Sequence, residues 1–163
     1  HLWRFLSGVI MYSVTVGLVK ATWHAEAVDA FAISCGSALK SANRQLQVNT
    51  YSVPGVVEIP LFTKKLIQSQ TVGIVVVAGL IADHGVYRHD FVASTVMDAT
   101  MKVQMETGVP IIYGILTPQE FMSEGRAEFF KEHFIKKGQE AARRVLTTLD
   151  NERLLAGLLK QTG

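Results

Sequence analysis

The chain has 163 residues, 48% hydrophobic and 18% charged, with a formal charge of +2 and one cysteine. This balance argues against disorder and against a disulfide-built scaffold, and the length fits one domain able to bury a proper core. Lys and Arg form no dense stripe with interleaved aromatics, so no nucleic-acid partner is expected, while small anionic ligands stay open.

The apolar stretch from Phe5 to Val19 is too short and too interrupted by Ser, Thr and Tyr to span a bilayer. No small-residue cleavage site follows it, so it is not read as a signal peptide and no membrane partner is expected. Val14 to Thr22 reads as the first core strand and ends at Trp23-His24. The next segment has helical spacing, with Ala27, Val28, Phe31 and Cys35 on one face. Cys35 has no partner for a disulfide and no second thiol for a metal cluster, and it reads as a packed thiol in a cytoplasmic chain. Trp23 falls at a strand-to-helix corner. Such a Trp is often a lid on the core, but the carboxyl end of a strand is also where a planar ligand stacks.

Leu46 to Val53 reads as a second strand stopped by Pro54-Gly55. A helix then begins around Val56-Val57-Glu58, with Pro60 tolerated in its first turn. Glu58 there either complements the helix dipole or, with neighbouring backbone groups, holds a polyol.

Val72 to Ala78 is a continuous apolar run without alternation, the pattern of a parallel strand covered on both faces. The chain then turns abruptly polar, with two His, one Arg and two Asp in the eight residues from Asp83 to Asp90. A bland hydrophilic loop is one reading. The density of titratable groups directly after a buried strand favours a site, because loops on a rigid scaffold carry function.

Phe91 to Met105 predicts a helix with Val92, Val96 and Val103 inward, its methionines read as core packing, and Gly108 as its stop. Val109 to Pro118 reads as a last strand. Two helices are expected beyond it, Gln119 to about His133 and about Lys137 to Leu159. The second would bury Ala141, Ala142, Val145, Leu149 and Leu154. Strands alternating with helices give an α/β fold, a flavodoxin-like three-layer sandwich with a four-stranded parallel sheet and helices on both faces. Residues 14–163 form its single domain, preceded by an N-terminal segment, 1–13.

Four segments then align in order and spacing. Val53-Pro54-Gly55-Val56-Val57-Glu58-Ile59-Pro60-Leu61, Tyr87-Arg88-His89-Asp90-Phe91-Val92-Ala93, Glu106-Thr107-Gly108-Val109-Pro110 and Gly114-Ile115-Leu116-Thr117 resemble the lumazine synthase family over roughly Val16 to Leu155. The resemblance implies a transferase of riboflavin biosynthesis. It would condense 5-amino-6-(D-ribitylamino)uracil with 3,4-dihydroxy-2-butanone 4-phosphate to 6,7-dimethyl-8-ribityllumazine, with no metal or organic cofactor. It also implies a homo-oligomer, a pentamer or a pair of pentamers, with sites shared between subunits. Val9 to Tyr12 would then add a strand to a neighbour's sheet edge.

Carried over by motif, Trp23, with His24 beside it, would stack on the pyrimidine. Val56, Val57 and Glu58 would hold the ribityl chain, and Leu80, Ile81 and Ala82 would meet the ring's polar edge through backbone groups. Gly85 and Val86 would cradle the phosphate, and Tyr113 would reach a neighbour's site. Two positions depart from the family pattern. Arg88 stands at the usual catalytic His with His89 one residue later, and His133 is the substitute for the usual phosphate-binding Arg. Trp23-His24 and Tyr87-Arg88-His89 look like the less common branch, whose members are similar to decamers. Arg88 would clamp phosphate, while His89 or His84 would carry protons.

An alternative is a flavin- or lumazine-binding oligomer with little or no catalysis, since Arg replaces the usual His. A mononucleotide-binding or receiver domain is disfavoured, because the first strand ends in Trp-His rather than a phosphate-cradling loop or acidic pair.

Overall fold

The computed structural model describes residues 3–6, 9–12, 14–42, 45–83, 88–118 and 125–162. Strands β1 (Trp3–Leu6) and β2 (Val9–Tyr12) form an antiparallel pair, with Trp3 opposite Tyr12. The body follows as β3 (Val14–Ala21), α1 (Ala25–Ser41), β4 (Leu46–Val53), a 3-10 turn (Val56–Glu58) and α2 (Ile59–Gln68). It continues through β5 (Ile74–Leu80), α3 (His89–Thr107), β6 (Ile111–Leu116) and α4 (Ala127–Gln161).

β3 to β6 form one parallel sheet in the order β4-β3-β5-β6. Alternation along each strand divides the core in two. Val16 and Leu18 of β3, Ile74 and Val76 of β5 and Ile112 of β6 pack under α1 and α4. Val19, Val75, Val77 and Ile115 pack under α2 and α3. Every residue of β5 is buried, which explains its unbroken apolar run: the strand has a neighbour on each side and helices over both faces. The expected three-layer sandwich is the observed one.

The helical spacing after Trp23 holds, with Ala27, Val28, Phe31 and Cys35 all buried. Burial pushes the Cys35 thiol from 9.0 up to about 11. The folded chain therefore keeps this proton where the unfolded chain releases it. Its contribution to stability is complete below pH 9.0 and disappears as pH rises to about 11. Denaturant titrations across that window should show stability falling, and Cys35→Ala should flatten this part of the slope.

Three expectations change. The region from Lys137 onward is not a separate helix, because α4 runs unbroken through Gly138. A Cβ on Gly138 would collide with Ser34 Oγ and the Phe31 carbonyl, so this glycine is a notch where two helices cross. Ser34 Oγ reaches across the crossing and donates to the Ile135 carbonyl at 2.9 Å. Leu154 is 62% exposed rather than buried. Five residues past Leu149, at about 100° per residue, it points roughly 140° away from the buried face.

Met97, Met101 and Met105 are exposed, not core. Their spacing of four places them on a stripe beside, not on, the inward face of Val96, Thr100 and Val103. Within the chain, Val9–Tyr12 pairs with Trp3–Leu6. Among the described residues no helix is long and apolar enough to cross a membrane.

Candidate active site

At the carboxyl ends of β3, β4 and β5 lies a cleft of about 650 Å³. The strand order reverses between β3 and β5, and open α/β sheets bind ligands at such a switch point. Two hydrogen bonds bring the first two walls together. The Thr22 N–H donates to the Val53 carbonyl at 2.9 Å, and Thr22 Oγ1 donates to the Pro54 carbonyl at 3.0 Å. Trp23, next in sequence, is 70% exposed and lines the cleft. An indole this open is not a lid on the core.

His24 makes the corner with φ 56° and ψ 46°, a left-handed conformation that His enters more readily than most residues. Its carbonyl accepts the N–H groups of Ala27 and Val28, both at 3.1 Å, and so starts α1.

The opposite wall is the turn after β4. Glu58 Oε2 accepts the Gly55 N–H at 2.9 Å, and the Glu58 N–H donates back to the Gly55 carbonyl at 3.2 Å. This reciprocal pair fixes the turn and presents Val56 and Val57 to the cleft. Gly79 lets the turn sit directly on the sheet, since a Cβ there would lie 2.6 Å from Val56 Cγ1. The floor is Leu80, Ile81 and Ala82, all buried, and the Ile81 N–H extends the ladder to the Leu116 carbonyl at 2.9 Å.

The charged rim comes from the start of α3. The Arg88 guanidinium stands 5.7 Å from the centre of the Phe91 ring. His89 Nδ1 lies 3.5 Å from Asp83 Oδ1 across the end of β5. An apolar hollow with a flat indole, a guanidinium and an imidazole can hold a planar ring, bind an anion and move a proton.

The cleft thus gathers Trp23, His24, Val56, Val57, Glu58, Leu80, Ile81, Ala82, Arg88 and His89. Gly85, Val86 and His84 lie outside the described residues. Tyr113 is half-buried on the α2/α3 side of β6, opposite Val77, and does not line the cleft. Burial raises its phenol above the ordinary range, and its carbonyl accepts from Arg144 Nη1 at 3.1 Å. His133 is also elsewhere, on α4, stacked at 6.3 Å and 5° on Phe129. Residue-by-residue reading missed Pro54, Gly55, Phe91 and Val92 as lining residues. Helical phase was the available signal, since Phe91 follows Arg88 by three and shares its face.

Residues 13–153 match the protein family described as 6,7-dimethyl-8-ribityllumazine synthase. The chain belongs to the lumazine synthase family. Similar proteins bearing that family name include one from Rhodococcus erythropolis, 38% identical over 86% of this chain and 92% of its own length. A 6,7-dimethyl-8-ribityllumazine synthase 2 from Bradyrhizobium diazoefficiens is 40% identical over 82% of this chain and 81% of its own. Another synthase 2, from Pseudomonas syringae pv. tomato, is 37% identical over 88% and 85%. The lumazine synthase match takes in all four parallel strands and every residue lining the cleft, while α4 continues past its end.

Proposed function

We propose that the chain works as a lumazine synthase of riboflavin biosynthesis through this cleft, joining a ribitylaminouracil to a four-carbon ketose phosphate. The observation that carries the assignment is the coincidence of the family match with a cleft that offers a flat indole opposite a fixed polar turn. In this reading Trp23 stacks on the pyrimidine, and the turn Val56–Glu58 holds the ribityl chain. Because Glu58 is already engaged by the Gly55 N–H, its part is to fix that turn as much as to meet a hydroxyl. Arg88 binds the phosphate of the second substrate and the charge it carries away. His89 takes and returns protons as the amine adds to the ketone.

Holding both reactants face to face supplies much of the rate, up to about 7–11 kcal/mol in favourable intramolecular cases. We infer, further, that a second copy of the chain completes the site. Tyr113 and His133 stand away from their own cleft, on β6 and α4, and that separation supports a role for them at a neighbour's cleft. The assembly is then a pentamer or a pair of pentamers.

Mixing both substrates and following lumazine absorbance tests the reaction; complex formation without product would favour a flavin-binding role. Trp23→Ala should weaken a lumazine-like inhibitor by about tenfold in calorimetry, from lost stacking worth about 0.5–1.5 kcal/mol and lost buried area. Unchanged affinity would remove the stacking role.

A further inference from the structure

A proton carrier at position 89 must present one particular ring nitrogen to the substrate, and the side chain beside it decides which. Asp83 is the residue placed to do so. It directly follows the cleft floor at Ala82, and its Oδ1 lies 3.5 Å from His89 Nδ1. Both side chains are partly exposed, at 42% and 33%, so substrate binding can dry and tighten the contact. Contacts of this kind are often long in a ligand-free site and shorten once the complex forms.

A carboxylate has only acceptor oxygens, so an imidazole turned toward it holds its proton on Nδ1. The other nitrogen, Nε2, is then a bare acceptor. Arg88 cannot substitute as the proton carrier, because a guanidinium keeps its protons.

Resting on the proposed reaction, we propose that Asp83 is a positioning residue that fixes His89 as the Nδ1–H tautomer with Nε2 as the working atom. As the amine lone pair forms the C–N bond, one proton leaves that nitrogen for Nε2. It passes on to the oxygen derived from the ketone, giving the carbinolamine and restoring the neutral imidazole. The second N–H proton follows the same route when the C–O bond breaks. That oxygen leaves as water, the C=N bond forms, and His89 again ends neutral.

The test uses the intact protein, the Asp83→Asn, Asp83→Glu and His89→Gln variants, and the Asp83→Asn/His89→Gln double variant. Lumazine formation by the unmodified chain comes first, because its absence would defeat the enzyme reading itself and with it this role. Given turnover, Asp83→Asn should lower kcat about tenfold with KM for the pyrimidine within about twofold. Asp83→Glu should recover part of the loss. Asp83→Asn should add nothing in the His89→Gln background, since the two residues act as one unit. Nitrogen-15 spectra of the unmodified protein should show His89 protonated on Nδ1, and Asp83→Asn should relax that preference. A merely structural Asp83 would move neither the tautomer nor the coupling. Unchanged kcat in Asp83→Asn, a loss that persists without His89, or an Nε2–H tautomer in the unmodified protein would each overturn the proposal.

Discussion

Gly138→Ala is expected to destabilise the fold by about 3 kcal/mol, the upper end of what overpacking usually costs. This runs against local propensity, which favours Ala over Gly in a helix by about 1 kcal/mol. Propensity loses because the new methyl would meet the Phe31 carbonyl and the Cys35 nitrogen, which are backbone groups of α1 and cannot swing aside. Gly157 provides the control. It lies in the same helix, and a Cβ there would have nothing within 4 Å, so Gly157→Ala should gain about 1 kcal/mol. For a chain of this size the pair should move the thermal midpoint about 6–12 °C down and about 2–4 °C up. Equal midpoints for the two variants would show that the α1/α4 crossing has more slack than the geometry allows.

Arg88→Ala is expected to lower kcat/KM for the phosphate-bearing substrate by about a hundredfold, the loss typical when one preorganised donor to developing negative charge is removed. Affinity for the pyrimidine should change little. Stability should change little as well, because the guanidinium lies over Phe91 at an exposed site, where such a contact is worth about 0.5–1 kcal/mol. Arg88→Lys should recover only part of the rate, since an ammonium keeps the charge without the planar fork. Steady-state kinetics with each substrate varied in turn separate these outcomes. A fall confined to the pyrimidine would move the anion site elsewhere.

The strands were legible because burial writes itself into composition. The unbroken run ending at Ala78 could only be a strand covered on both faces, and the polar residues after it had to lie at the sheet's carboxyl end. The corner at Trp23 was legible for the same reason. Helix phase near the C-terminus was less so: Leu154 is apolar but lies off the inward stripe, and the role of Gly138 depends on its neighbour across the crossing. The methionines of α3 misled because a thioether side chain suits a core and an open face equally well. The contact between Asp83 and His89 was beyond sequence reasoning, since it depends on how the end of β5 meets the start of α3. The family resemblance named Tyr113 as a site residue and left His133 as a substitute for the missing Arg, and the fold of one chain sets both apart from its own cleft.

The left-handed residue at position 24 ties two distant parts of the molecule. It joins the indole's backbone to the first turn of α1, and α1 is wedged against α4 by Ser34 at the Gly138 notch. Trp23 is therefore joined to a helix that packs beside α4, in the layer opposite α2 and α3. Loosening that remote notch should tilt the indole before the sheet gives way, so ligand grip becomes an early gauge of wear at a place no ligand touches.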